Sequence, residues 1–436
     1  MTVALCLLAA VASASLPPDL AHLLAAARAH NHQLGISRAQ LAEQEAAVSQ
    51  ALATLTPTLQ ASGSYTRNQY AAIISLPAQS AGFFGFTGAT TLTIQPYDAW
   101  QGGVAVNVPI FSAVNLYRHA EAKAAFEAAG HSERATDAEV LLSTARGYYQ
   151  VVGAQGVADA AGRALATAED NLRVTEAKLA AGTANKLAVD RARVDVASAQ
   201  ETVVTSRQAL ALARRNVETL TGEQVEGPLP TPEAPEAASG NEPDFVARAE
   251  RQRPELAQAH AALQQAELSL NEAWGQVIPT VSANAQEHFT NAPGFVTSEG
   301  FYTVGASVAW LLDPVGLPAA IRRARAAVEE QRQRLAQEED VVRDDVHSAW
   351  LDVEADRSRL EQATSAAQSA REALAITQEQ YRAGTATSLD ISQAQRDAFN
   401  ADATLAQTQA NLAAALLSLQ KAAGEPLLAD SQGGQP

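Results

Sequence analysis

The sequence predicts a mixed α/β membrane protein that is internally duplicated. It has four short strands per chain and two overlong helical hairpins, with the strands pooled into a shared β-barrel and the helices into a shared antiparallel α-helical barrel. Three observations carry this. Two stretches of unbroken helical character are each far longer than a globular helix. Each is preceded by a pair of alternating, proline-flanked strands, and the whole succession occurs twice.

In chain order, Val3 to Ala14 is apolar and ends in Ala12-Ser13-Ala14, the core and small-residue site of a secretory signal, so residues 1–14 are read as a signal peptide. The basic n-region is missing, which leaves open a start placed too late or an ordinary N-terminal helix. The one cysteine, Cys6, lies in this stretch, and its apolar followers argue against a lipid-modified terminus. A mature chain from residue 15 would hold no disulfide and no thiolate metal cluster.

Pro17 to Thr54 reads as one helix, stopped by Pro57. Leu59, Ala61, Gly63 and Tyr65 then alternate with polar residues as a strand, and residues 68–99 read as a long loop. Val104, Val106, Val108 and Ile110 form the second strand. Ser112 to Leu179 holds no proline; as a helix it spans about 100 Å. Ala181-Gly182-Thr183 turns the chain, and Val189, Val196, Val203, Leu210 and Val217 recur every seven residues, the seam of an antiparallel hairpin. Residues 15–221 are thus the first repeat. Residues 222–243, with Pro228, Pro230, Pro232, Pro235 and Pro243, are a linker or an irregular packed segment.

The second repeat covers residues 244–424. Asp244 to Trp274 reads as a helix, Val281, Ala283 and Ala285 begin a strand, Tyr302 to Trp310 form another, and Leu317 to about Tyr381 is the second very long helix. Ala383-Gly384-Thr385-Ala386 repeats the first tip, Ala181-Gly182-Thr183-Ala184, and Ile391, Ala398, Leu405, Leu412 and Leu419 repeat the seam. Residues 425–436 read as a flexible tail.

No stretch has 18 uninterrupted apolar residues outside the N-terminus, so a membrane-spanning helix is not expected, while a β-barrel stays open. Four strands cannot close a barrel alone, and an open sheet in lipid leaves its edges unpaired, so several chains must contribute. The alternative is a secreted or periplasmic structural coiled-coil protein, which leaves the duplicated strand pairs unexplained.

Net charge is −17, without a basic block, which disfavours a nucleic-acid partner. Nucleophile-elbow, zincin and P-loop motifs are all missing, and no cofactor is implied. Asp344-Asp345 beside His347 reads as a polar helix face rather than a metal pair.

The motifs Tyr148-Tyr149, Ala181-Gly182-Thr183, Arg253-Pro254-Glu255-Leu256, Tyr381-x-Ala383-Gly384-Thr385, Leu389-Asp390-Ile391 and Ala394-Gln395 follow one another in two copies. In this order the chain resembles the outer-membrane efflux protein family, the TolC-like channel-tunnels. The resemblance implies a homotrimer with a 12-strand transmembrane barrel and a periplasmic helical tunnel. It also implies outer-membrane lipid around the barrel, a periplasmic adaptor (membrane fusion) protein, and an inner-membrane pump of RND or ABC type. Trp310-Leu311-Leu312-Asp313-Pro314 departs from the Pro109-Ile110-Phe111 pattern, which puts one strand end in doubt.

Two candidate sites follow. Gly182, Thr183, Gly384 and Thr385 form the hairpin tips, where glycine permits the reversal, and are assigned to adaptor docking. Asp390 and Asp397 are assigned to an acidic ring at the periplasmic entrance; for Asp390 this is what the resemblance implies. Asp402 shares their helix, and Asp190 and Asp195 are the counterparts after the first tip.

Overall fold

The computed structural model describes residues 17–81, 83, 87–230, 240–292 and 298–428. The expected signal peptide, most of the second half of the linker and the end of the tail lie outside the described residues.

Each repeat opens with a broken helix. In the first, α1 (Pro18–His30) and α2 (His32–Ala53) replace the single helix expected. Asn31 is extended (φ −68°, ψ 126°), and its Oδ1 accepts the backbone N–H of Gln33 at 2.9 Å, capping α2 while its own backbone closes α1. In the second, α6 (Glu242–Gln252) and α7 (Pro254–Gly275) part at Arg253. Pro254 has no N–H and disfavours a helical residue before it, so Arg253 is extended (φ −67°, ψ 125°).

The strands β1 (Thr58–Arg67), β4 (Asp98–Phe111), β5 (Thr280–Thr290) and β6 (Gly300–Ala309) form one antiparallel sheet in the order β1-β4-β5-β6. The segment between β1 and β4, expected as loop, holds β2 (Ala72–Leu76), α3 (Ala78–Ala81) and β3 (Thr90–Gln95), with β2 and β3 paired as a separate hairpin. In β3, Leu92 and Ile94 alternate with Thr91, Thr93 and Gln95, whereas β2 (Ala-Ile-Ile-Ser-Leu) does not alternate; Leu92 is buried. The last strand ends at Ala309, one residue earlier than expected, where the Trp310 indole N–H donates to the Val277 carbonyl at 3.0 Å.

Register sorts the sheet into two unlike faces. Leu59, Val106, Ala285 and Val304 stand in one row across the four strands; the next row is Gln60, Ala105, Gln286 and Thr303. The pattern repeats along the sheet, with Ala61, Val104 and Tyr302 on the first face and Ser62, His288 and Phe301 on the second. One face is therefore predominantly apolar, interrupted by Glu287 in the row of Val104 and Tyr302 and by the Arg67–Asp98 ion pair at the end of β1 and β4. Gly103 cannot be larger: a Cβ there would sit 2.6 Å from the Glu287 carbonyl oxygen.

The long helices are α4 (Ala113–Ala180) and α8 (Gly316–Ala383), 68 residues each. Ser112 Oγ accepts from Asn115 N at 3.2 Å to start α4, and Asp313 accepts from Val315 N and Gly316 N, at 3.1 and 2.7 Å, to start α8. They return as α5 (Lys186–Thr221) and α9 (Ser388–Ala422). Val189, Val203 and Val217 on α5, and Ile391, Ala398, Leu412 and Leu419 on α9, are buried. The heptad seam is real, and each buried Leu contributes about 1.5–3 kcal/mol.

The chain forms two compact units that cut across the repeats. Among the described residues, one takes those from 17–40, 130–258 and 336–428, the other those from 41–129 and 259–335. The first has its core around Leu20, Leu24, Tyr148, Val151 and Val217, with a second cluster around Phe245, Leu256, Val342 and Val346. The Tyr148 phenol is buried, and burial pushes it up to about 12. The segment after α5 is packed rather than a free spacer: Leu229 is buried, and its backbone N–H and carbonyl both pair with the Gln155 side chain. The expected flexible tail likewise begins packed, with Leu427 in the core and Glu425 paired to Arg248. The second unit holds both sheets.

Candidate functional site at the hairpin tips

Both tips close in the same way. At the first, Thr183 N donates to the Lys178 carbonyl at 2.9 Å and Gly182 N to the Leu179 carbonyl at 3.0 Å. At the second, Thr385 N reaches the Gln380 carbonyl at 2.9 Å and Gly384 N the Tyr381 carbonyl at 3.2 Å. These are Schellman closures, which need a left-handed residue, and φ is 74° at Gly182 and 85° at Gly384. Thr183 and Thr385 add their hydroxyls to the same carbonyls, each at 3.1 Å. The return helices are then capped: Asn185 accepts from Ala188 N at 2.9 Å, and Thr387 forms a capping box with Asp390.

A Cβ at Gly182 or Gly384 would meet nothing within 4 Å, so the tips have open space and only the backbone demands glycine. Gly182→Val and Gly384→Val are each expected to cost about 1–2 kcal/mol of tip stability. Faster amide exchange at Thr183 or Thr385 reports it, with exchange in the sheet unchanged.

The acidic residues separate by environment. Asp390 Oδ2 accepts from Thr387 N at 2.8 Å and Thr387 Oγ1 at 2.7 Å. The Thr387 hydroxyl, then its backbone N–H, hold this carboxyl below the usual aspartate range. Asp397 accepts from Gln393 Nε2 at 3.0 Å. Asp390 and Asp397 line one groove of about 510 Å³ between α8 and α9, floored by Ala366, Ala370, Ala373 and Ala394. Asp402 leaves this set: Arg371 and Arg163 clamp it at 2.7 and 3.1 Å and neutralise its charge. Asp195 is held by Ser392 and Arg396, and Asp190 lies 3.8 Å from Arg193.

Ties between the two hairpins were not legible in the sequence. Thr175 Oγ1 and the Tyr381 hydroxyl share a buried hydrogen bond of 2.8 Å. Lys178 donates to the Tyr381 carbonyl and lies 4.4 Å over its ring. Arg382 reaches Asp170 at 3.2 Å. Tyr381 stood out only as part of a motif; its partners lie about 200 residues earlier, where nothing local marks them.

Asp345 is taken by Arg253 at 2.8 Å and His347 faces Glu242 at 2.7 Å. Among the described residues no three metal-ligating side chains cluster, and no helix is long and apolar enough to cross a membrane.

The family model described as "Outer membrane efflux protein" matches residues 23–223 and 246–425, most of the chain. The chain belongs to this family. It is an outer-membrane channel, a conduit rather than an enzyme. The efflux protein is 26% identical to the pyoverdine export outer membrane protein OpmQ of Pseudomonas aeruginosa, over 95% of this chain and 87% of that one. Solved structures share its fold. The Campylobacter jejuni CmeC outer membrane channel superposes with a TM-score of 0.77 at 15% identity, covering 93% of this chain and 86% of that one. The open-state Neisseria gonorrhoeae MtrE outer membrane channel gives 0.76 at 18%, covering 95% and 91%.

Proposed function

We propose that three copies of the efflux protein share one barrel and one helical tunnel, forming the outer-membrane conduit of a tripartite exporter. The observation that carries this is the sheet β1-β4-β5-β6, whose edge strands β1 and β6 have no further strand partner among the described residues while its two faces differ in polarity. In lipid each unpaired backbone group costs several kcal/mol, so β6 of one copy pairs with β1 of the next until the ring closes. Three copies supply twelve strands. The apolar face meets lipid and the polar face the lumen. Mass measurement in mild detergent is expected to give about three times the mature chain mass; a stable monomer or dimer would refute the assembly.

The tips are proposed as the docking points for a periplasmic adaptor that joins an inner-membrane pump of RND or ABC type. Their support is two identical turns at the ends of equally long helices, with open space around Gly182 and Gly384. In the same reading residues 1–14 are the signal peptide, and residues 15–221 and 244–424 are repeats joined by residues 222–243.

Asp390 and Asp397 are proposed to set the charge of the entrance. Asp390 stays ionised to lower pH than an ordinary aspartate, because its folded pKa is depressed. The entrance therefore keeps a cation preference as pH falls toward the free-aspartate range near 3.9. Asp390→Asn with Asp397→Asn is expected to lower cation preference and weaken multivalent-cation block in planar bilayers. Wild-type selectivity and block in that variant would show them to be ordinary surface acids.

A further inference from the structure

The unit that holds the sheet carries a second feature that conduction does not use. Directly after β6, four large apolar side chains stand uncovered: Trp310 is 61% exposed, Leu311 79%, Leu312 64% and Val315 78%. They follow β6 in the chain, whose row Tyr302, Val304, Ala306 and Val308 is apolar. The one charge among them, Asp313, is turned onto the start of α8, accepting from Val315 N and Gly316 N. Along α8, Ile321 and Val328 are buried, whereas Arg322 and Arg323 are exposed and have no acidic partner within ion-pair distance among the described residues. The start of α4 differs, since Arg118 is neutralised there by Glu272 at 2.7 Å. Two unpaired guanidinium groups next to a bare Trp-Leu-Leu wedge are unexpected in a chain of net charge −17.

We propose that Trp310–Val315 with Arg322 and Arg323 bind an anionic glycerophospholipid of the periplasmic leaflet. This rests on the reading that the apolar face of the sheet meets lipid. The wedge takes the glycerol and upper acyl region, where tryptophan favours the membrane interface. The guanidinium groups take the headgroup phosphate, which matches their planar donor geometry. The spacing fits. At 1.5 Å per residue Arg322 and Arg323 lie about 9–10 Å along α8 from Gly316, and the polar layer of a leaflet is about 5–8 Å deep. The long side chains cover the remainder by reaching back toward the phosphates. Such a site holds the base of the barrel at a set depth.

Native mass spectrometry of the detergent-purified oligomer, titrated with phosphatidylglycerol, tests this. Phosphatidylcholine and inorganic phosphate are the comparison probes. The wild-type protein is expected to retain phosphatidylglycerol, to retain phosphatidylcholine more weakly, and to keep its lipid in millimolar phosphate. Arg322→Gln with Arg323→Gln is expected to weaken phosphatidylglycerol retention by about 10- to 30-fold. Arg332→Gln with Arg334→Gln, whose residues pair with Glu267 and Glu330, is expected to retain it unchanged. Equal retention in the Arg322/Arg323 variant overturns the proposal, as does displacement by free phosphate. Unchanged retention with altered ion selectivity would place the guanidinium groups in the lumen instead. If the wild-type protein fails to reach the outer-membrane fraction at all, the lipid-facing reading fails, not the headgroup site alone.

Discussion

Val304→Arg is expected to block insertion into the outer membrane, while Thr303→Arg, one residue earlier on the same strand, is expected to insert and change conductance. The two positions stand in adjacent rows on opposite faces. Val304 is 73% exposed beside Ala285, Val106 and Leu59, and Thr303 aligns with Gln286, Ala105 and Gln60. An arginine on the lipid face of a barrel costs about 2–4 kcal/mol near the midplane, and a shared barrel multiplies that by the number of copies. On the lumen face the same charge stays hydrated and acts on passing ions. Recovery in the carbonate-washed outer-membrane fraction separates the outcomes. Equal recovery of both variants would remove the face assignment and with it the barrel built on β6 and β1.

Arg253→Met is expected to destabilise the helical unit by about 3–5 kcal/mol, the cost of leaving buried charges without their partner. The Arg253 side chain is 4% exposed. It donates to both oxygens of Glu255, at 3.2 and 3.1 Å, and to Asp345 at 2.8 Å. Lys421 joins at 3.2 Å from Glu255 and 3.4 Å from Glu139. Burial alone would raise the Glu255 carboxyl, but the hydrogen bonds and charge of Arg253 reverse this and hold it below its usual value. A depressed carboxyl contributes stability above its unfolded pKa, about 4.3, and loses it as pH falls through the folded value. Without Arg253, burial dominates, and the variant is stabilised as Glu255 takes up a proton. The gap between the two proteins is therefore expected to narrow from pH 7 to pH 4. Thermal unfolding in detergent, followed by circular dichroism at both values, measures it. A gap that stays constant would mean that Glu255 does not depend on Arg253.

How far the chain itself is legible depends on the range of the interaction involved. Pro254 ends α6 through a clash with its immediate neighbour, so the break is written in the sequence, although the expected helix ran through it. Asn31 breaks the first helix only because its side chain caps α2 rather than continuing α1, and an asparagine inside a helical pattern does not announce that choice. The β2–β3 hairpin is not legible in the sequence because its strands are only five and six residues long and β2, Ala-Ile-Ile-Ser-Leu, carries no alternation.

The sequence by itself determined the duplication, the two very long helices to within a few residues at their ends, the heptad seams and the glycine tips. The helices, seams and tips each depend on residues within a few positions of one another, through helix periodicity, a proline or cap at an end and a left-handed residue at a turn, and the duplication follows because those local signals recur in the same order. Only the tertiary structure decided which charges remain available. Asp390, Asp397 and Asp402 are alike as aspartates on one helix. Packing of α9 against α4 and α8 brings Arg163 and Arg371 onto Asp402 and leaves Asp390 and Asp397 in a groove. Tyr381 meets Thr175, and Arg253 meets Asp345, across separations that no local pattern spans. The physical reason is that a carboxylate's effective charge is set by the cations within a few ångströms of it, and those are chosen by how distant helices pack.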